Sequence, residues 1–119
     1  MSSAFVGNLV AGVITSTGVK VPQVPYKGDS IVNPDTIFMR LAVPSRGQSF
    51  KCKIRRNGTA IQKASVDAEI EITAGNNDAA TTGLDNFTVA DGDHFDVDVT
   101  QLGNDGPNEG SDLVWGVAK

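Results

Sequence analysis

The residues whose types could support catalysis or metal binding cluster around His94, the only histidine of the chain. Asp91 and Asp93 precede it in a predicted turn, and Asp96 and Asp98 follow it at alternate positions. The turn carboxylates could bind Ca²⁺ through oxygen ligands, and His94 could act as a general base. The spacing matches no calcium-binding loop, however, and no nucleophile lies at a recognisable spacing. Carboxylates on a solvated strand face explain the same pattern, so we predict no metal, no cofactor and no enzymatic activity.

The single cysteine, Cys52, alternates with Phe50 and Ile54 along a predicted strand. Alternation of this kind places all three side chains on the buried face, where Cys acts as a small hydrophobic residue. One cysteine excludes an internal disulfide, and one Cys with one His cannot supply a four-ligand zinc set without carboxylates. We expect the only tryptophan, Trp115, to lie in the core rather than to form a carbohydrate-stacking platform.

The formal net charge of −4 conceals a division of charge along the chain. Residues 1–63 contain nine of the ten basic residues and two acidic ones, which gives +7, whereas residues 64–119 sum to −11. Such asymmetry indicates either an interacting tail or two complementary halves. Regular apolar alternation occurs in both halves, which favours the second interpretation.

Three basic residues, Lys51, Lys53 and Arg55, lie on the predicted outer face of one strand. They could contact phosphates, but no aromatic residues alternate with them as base stacking requires. The net acidity of the chain also argues against general binding of nucleic acid. We therefore expect no nucleic-acid partner.

Two arrangements would pair these cations with carboxylates. In the first, they lie opposite Asp96 and Asp98 on a neighbouring strand of the same chain. In the second, they meet the next subunit of a ring, where charge would fix the register and the choice of partner. The acidic strand in that second arrangement carries Asp67, Glu69 and Glu71. Only the second arrangement predicts an oligomer that dissociates when the salt concentration is raised.

A series of short predicted strands must position all of these residues. Alternating or β-branched apolar residues separated by turn residues indicate strands at 36–43, 50–55, 59–64, 66–72, 87–89, 94–101 and 111–117. Asn57-Gly58 is the strongest hairpin signal, because both residues tolerate positive φ. No segment shows sustained helical periodicity. The pattern predicts an all-β fold, an antiparallel β-sandwich of jelly-roll or Greek-key type.

The first 35 residues combine an apolar start with a segment rich in proline and glycine. We interpret residues 1–35 as an extended N-terminal arm and crossover segment, and residues 36–119 as the β-sandwich body of a single domain. The apolar start could also be an edge strand. It would cover the chain's own core or pack on a neighbouring subunit through Phe5, Val6, Leu9 and Val10. We expect no signal peptide, and no apolar run has the length of a membrane-spanning helix.

Two parts of the chain resemble small β-sandwich proteins of tailed bacteriophage virions, which serve as capsid decoration proteins or as tail and fibre modules. The first is the strand 50–56 that enters the Asn57-Gly58 hairpin. The second begins with Gly-Asp at 92–93, continues through Val-Thr-Gln-Leu-Gly at 99–103 and ends in Gly-Ser-Asp-Leu at 110–113. The resemblance covers roughly residues 36–115 and brings no catalytic motif with it.

The resemblance implies a virion structural protein that is made in the host cytoplasm and forms a homo-oligomer, often a trimer. The leading expectation is a capsid decoration or cement protein that bridges subunits of the major capsid protein, without a nucleic-acid or membrane partner. The alternative is a tail- or fibre-associated module that binds a receptor or glycan. Such a module would use loops such as 75–85 and 103–110.

Overall fold

The computed structural model describes the backbone of residues 4–103 and 110–119, and the side chains of these residues except 4–9, 21 and 22. Within that part of the chain every regular element is a β-strand. The strands are β1 (Ala4–Val13), β2 (Gly18–Pro25), β3 (Ile31–Val32), β4 (Thr36–Val43), β5 (Phe50–Arg56), β6 (Thr59–Ala60), β7 (Gln62–Lys63), β8 (Val66–Asp67), β9 (Glu69–Ile72), β10 (Asp78–Thr81), β11 (Thr88–Val89), β12 (His94–Gln101) and β13 (Ser111–Ala118). The predicted all-β class is confirmed.

Nine of these strands form two antiparallel sheets. Sheet A has the order β1-β13-β4-β10, and sheet B has the order β2-β12-β5, with both β6 and β9 paired to β5. The pairing is nested along the chain, because β1 pairs with β13, β2 with β12, β4 with β10 and β5 with β9. Two-stranded ladders join β3 to β11 and β7 to β8. The two sheets pack as a β-sandwich around a shared core.

Alternate side chains of both sheets build that core. In sheet B the alternation of β5 buries Phe50, Cys52 and Ile54, as the sequence predicts. Full burial of such a side chain stabilises the fold by about 1.5–3 kcal/mol relative to exposure. The largest fully buried side chains include Trp115, Phe50, Phe95, Ile37, Met39 and Leu41. Trp115 is thus a core residue.

Cys52 behaves as a buried hydrophobic side chain. Its Sγ atom lies 3.1 Å from the thioether sulfur of Met39, across the space between the two sheets. Burial, and next the nearby carboxylates of Glu69 and Asp98, raise the pKa of the Cys52 thiol far above its ordinary value. The thiol therefore stays protonated and unreactive at neutral pH.

Two tight turns connect the short strands beside β5. Asn57 and Gly58 have φ values of 52° and 85°, so the predicted hairpin between β5 and β6 is confirmed. A second turn between β7 and β8 uses Ala64 and Ser65, with φ values of 52° and 66°. The carboxylate of Asp85 accepts hydrogen bonds from both of their amides, each 2.9 Å long, and this supports a conformation that Ala and Ser rarely adopt.

Residues 1–35 supply an edge strand to each sheet. β1 pairs with β13 along sheet A, and β2 pairs with β12 along sheet B. Of the two interpretations of the apolar start, the structure therefore has the edge strand. Both sheets include strands from residues 1–35 as well as from the 36–119 body.

Candidate functional site

The outer face of sheet B carries three parallel columns of charge with β5 at the centre. Lys53 lies opposite Asp98 on β12 and opposite Glu69 on β9. In the same way Lys51 lies opposite Glu71 on β9. Opposite charges at directly facing positions contribute roughly 0.2–1 kcal/mol per pair. The columns therefore alternate acid, base and acid within one chain.

Arg55 and Asp96 form the strongest contact on this face. The Arg55 Nε and Nη2 atoms donate to the two carboxylate oxygens of Asp96 at 2.7 and 2.8 Å, which is the bidentate geometry favoured for this pair. Asp96 is only 1% exposed, whereas 27% of the Arg55 side chain remains exposed. Burial alone would raise the pKa of Asp96, but the hydrogen bonds from Arg55 and Gln23 and the charge of Arg55 outweigh it, so the pKa is lowered.

The remaining charged groups of this face are linked more loosely. Lys53 Nζ lies 3.4 Å from the Asp67 carboxylate, with both side chains partly exposed. The Thr100 hydroxyl of β12 donates to Glu69 of β9 at 2.6 Å. The sequence proposed either a neighbouring strand or the next subunit as the partner of the basic strand, and the structure places both acidic strands beside β5 in the same chain. Charge pairing between subunits is therefore not required to explain the division of charge.

The outer face of sheet A is largely apolar. Burial of alternate residues in β4 and β13 leaves the intervening residues facing outward. We call this surface the apolar face; its members are Phe38, Ala42, Ala80, Val114 and Ala118, and the outward positions of the same strands also include Arg40 and Asp78. Its central residue is Phe38, which lies between Ala80 and Gly116 in the sheet register.

One ion pair lies within the apolar face. Arg40 Nη1 lies 3.8 Å from the Asp78 carboxylate, and both side chains are largely exposed. The depression between β4 and β10 beside this pair has a volume of about 390 Å³ and is lined by Phe38, Met39, Arg40, Asp78, Ala79 and Ala80. Arg40 belongs to the interior strand β4 and lies opposite Val114, so this face is apolar except for one exposed ion pair.

The four apolar residues of the expected arm lie on β1. In the backbone register Phe5 is opposite Val117, Val6 opposite Gly116, Leu9 opposite Val114, and Val10 opposite Leu113. The side chains of Phe5, Val6 and Leu9 lie outside the described part of the structure. Val10 is partly buried and packs against the core.

The residues around His94 stabilise the fold through hydrogen bonds between neighbouring segments. Burial opposes ionisation of Asp93, but hydrogen bonds from the Ala90 amide at 2.9 Å and the Asn57 side chain at 3.1 Å, together with Arg56, outweigh it and lower its pKa. Asn57 also accepts a hydrogen bond from the His94 amide, which ties the β5–β6 hairpin to the start of β12. Among the described residues, no group of three or more His, Cys, Asp or Glu is placed to hold a metal ion.

A half-open cleft of about 230 Å³ lies beside the β5–β6 hairpin. The Arg56 guanidinium carbon sits 5.4 Å from the ring centre of Phe87 and closes one side. The polar lining residues are Arg56, Thr59, Gln62, Asp85 and Asn86. Sequence reasoning missed this cleft, because residues from 56–62 and 85–87 meet only in the folded chain.

The two loops proposed for receptor binding differ in the structure. Residues 78–81 of the 75–85 segment form β10 and are paired to β4, so this segment is not a continuous loop. Residues 104–109 of the 103–110 loop lie outside the described part of the structure.

Comparison with known proteins identifies no relative: no protein-family model matches the chain, and no curated protein sequence matches it. The described residues also contain no helix of the length and apolarity needed to cross a membrane.

Proposed function

We propose that this chain is a non-enzymatic structural protein of a bacteriophage virion, most specifically a capsid decoration or cement protein that bridges capsid subunits. The observation that carries the proposal is the apolar face of sheet A. Its two interior strands, β13 and β4, present Val114, Ala118 and Phe38 outward, while the opposite face of the sandwich carries columns of charge. Apolar surface of this kind marks sites where other proteins bind.

The nested pairing of eight of the strands supports the proposal. We infer that it represents a jelly roll, in which the first strand pairs with the last and the chain folds back as one long double ribbon. Eight-stranded jelly rolls are found in viral capsid proteins and also in lectins. This argument is one of fold analogy, and the apolar face is what favours the capsid role.

In the proposed mechanism, sheet A docks on the capsid and sheet B faces solvent. Phe38 supplies the aromatic anchor, since aromatic residues dominate the energetics of most interfaces. The charged columns of sheet B are satisfied internally and maintain solubility on the outside of the particle.

The test is binding to phage heads prepared without this protein, measured by co-sedimentation. We expect saturable binding at a fixed copy number. Phe38→Ala should weaken it at least about tenfold, which corresponds to about 1.4 kcal/mol. Lys51→Ala on the outer face of sheet B is the matched control and should bind as the wild type does. Absence of binding, or equal losses in the two variants, would refute the proposed docking face.

A glycan-binding tail or fibre module is the second candidate, and the cleft beside the β5–β6 hairpin is the observation that favours it. Asn86 and Gln62 offer exposed amides there, as sugar hydroxyls require. The isolated protein should then bind immobilised glycans, and the double variant Gln62→Ala, Asn86→Ala should lose that binding. If the isolated protein binds no glycan, this second function fails while the capsid role stands.

A further inference from the structure

The sheet edges of the sandwich differ sharply in how they are protected. An edge strand presents unpaired amide and carbonyl groups, and natural proteins cover or interrupt such edges with prolines, charges or short strands. The β2 edge of sheet B contains Lys20, Pro22 and Pro25. The β9 edge has four residues, two of which are Glu69 and Glu71. Both edges of sheet B are therefore protected against pairing with another strand.

Sheet A has one protected and one open edge. The β10 edge is four residues long and begins at Asp78, whose carboxylate pairs with Arg40. The β1 edge is ten residues long and contains neither proline nor a charged residue, and its pairing with β13 is interrupted by two register shifts. The first charged residue of the whole chain is Lys20. β1 is thus the one long, uncharged edge among the described strands.

The backbone of β1 has a free side. Among the described residues it pairs with β13 alone, which occupies one of its two hydrogen-bonding sides. The register of that pairing shifts between Val6 and Leu9 and again between Val10 and Val13. At the second shift the Gly12 amide donates to the Asp112 carboxylate of β13 at 2.8 Å, so the irregularity is held from the β13 side. Val13 at the end of the strand is 47% exposed.

We propose that β1 pairs antiparallel with β1 of a second copy of this chain. The pairing would join two copies of sheet A into one continuous eight-stranded sheet, with a two-fold axis at the join. A two-fold interface brings identical surfaces together, and an uncharged strand meets its copy without the like-charge repulsion that other surfaces of a chain with net charge −4 would impose. The main-chain hydrogen bonds supply the affinity, as in other cases of strand addition.

The joined sheet would also carry two apolar faces side by side. Val114 and Ala118 lie outward in the strand next to β1, so the apolar face extends toward the join from both copies. The inference deepens the proposed function and rests on it in this respect, because the dimer becomes the unit that docks on the capsid. The oligomer itself is an independent property of the purified chain.

The valines at 13 and 43 provide a matched pair of variants. Both lie opposite Ser111 of β13, one on each side, and they are 47% and 46% exposed. Val13 belongs to the open edge strand, whereas Val43 belongs to β4 in the interior of the sheet. A lysine at either position adds the same charge at the same register position, opposite Ser111. Only Val13→Lys places that charge on the proposed join.

Sedimentation equilibrium over protein concentrations from about 1 µM to about 1 mM tests the inference. The wild type should form a dimer, Val13→Lys should raise the dissociation constant at least about tenfold, and Val43→Lys should leave it unchanged. If Val13→Lys fails to fold, Ala11→Lys repeats the edge substitution at another exposed position of β1, with Val43→Lys again as the control. Hydrogen exchange of the β1 amides should slow as the dimer forms.

A wild type that stays monomeric, or forms trimers, would overturn the inference, and so would equal effects of the two valine variants. Protection of the β1 amides only when the protein is on capsids would assign the edge to a strand of another protein. Head binding measured on the same samples separates the two proposals. If the protein is monomeric but binds phage heads, the proposed function is supported and β1 self-pairing is not. If the protein is dimeric but does not bind phage heads, β1 self-pairing is supported and the proposed function is not.

Discussion

Sheets A and B share one core but present different surfaces to their surroundings. The central strand of sheet B, β5, carries Lys51, Lys53 and Arg55 outward, between two columns of carboxylates. The interior strands of sheet A, β13 and β4, carry Val114, Ala118 and Phe38 at outward positions, with Arg40 as their one exposed cation. The charges of sheet B have oppositely charged partners within the chain, whereas the apolar face and the β1 edge of sheet A have none among the described residues. If the two proposals hold, assembly depends on the sheet with fewer charges.

The largest effect is expected from removal of the buried carboxylate of sheet B. Asp96→Ala deletes both hydrogen bonds to Arg55, and we expect the free energy of unfolding to fall by about 2 kcal/mol. The partial exposure of Arg55 limits the cost, because water can solvate the orphaned guanidinium. Asp98→Ala, two residues along the same strand, should cost less than about 1 kcal/mol. Urea denaturation of both variants measures the difference, and equal losses would contradict the special role of Asp96.

Acid should weaken sheet B selectively. Interactions with Arg55 and Gln23 lower the pKa of Asp96, so its stabilising contribution is present above the pKa of an unfolded Asp, about 3.9, and disappears as the pH falls through the lower folded value. Denaturation midpoints should therefore fall steeply below about pH 4. Asp96→Asn should flatten this dependence, while Asp78→Asn at the exposed margin of sheet A should leave it unchanged. A wild-type curve that is flat in that range would show that Asp96 makes no such contribution.

A polar substitution should be tolerated on the outer face of sheet A by the isolated chain. Val114→Thr keeps the side-chain shape at a half-buried outward position. The free energy of unfolding should therefore change by less than about 0.5 kcal/mol. Val97 is buried in the core, and Val97→Thr should lower the free energy of unfolding by about 1–2 kcal/mol, because the buried hydroxyl loses its hydrogen bonds to water. Thermal denaturation compares the two variants. A large loss at Val114 would mean that the apolar face is needed for folding itself.

The smallest effect is expected from salt on the proposed dimer. Raising the salt from about 0.1 to about 1 M shortens the Debye length from about 10 to about 3 Å and weakens exposed charge pairs. The β1 edge carries no charge, so the dissociation constant should stay within about twofold. Sedimentation at the two salt concentrations decides this. Dissociation of the oligomer in high salt would instead support the hypothesis that charged strands pair between subunits.

The sequence predicted best those strands whose alternation is regular. The bounds of β4 and β12 agree with the predicted ones, because buried and outward residues alternate along both strands. β10 was missed, since its Asp78-Ala79-Ala80-Thr81 has low β-propensity and no apolar alternation. Its position is set by pairing with β4, a contact between distant segments that local pattern does not encode.

The charged residues of the candidate site were predicted, but their neighbours were not. Alternation places Lys53 on an outer face whichever strands flank β5. The choice between a partner within the chain and a partner in another subunit depends on strand order, which places β9 beside β5. The apolar face and the free edge depend on strand order as well. Charged residues can be read directly from the sequence, whereas the identity of the edge strand depends on the order of strands in the folded sheet.

The nested strand pairing has a consequence for synthesis of the chain. β1 is translated first among the strands but pairs with β13, about a hundred residues later, which takes on the order of 5–20 s at about 5–20 residues per second. During that interval both hydrogen-bonding sides of an uncharged ten-residue strand lack their partner in the chain. On a crowded messenger, neighbouring nascent chains present the same segment at the same time. β1 therefore lacks its partner strand for most of the synthesis of the chain, and pairing between neighbouring nascent chains can precede folding.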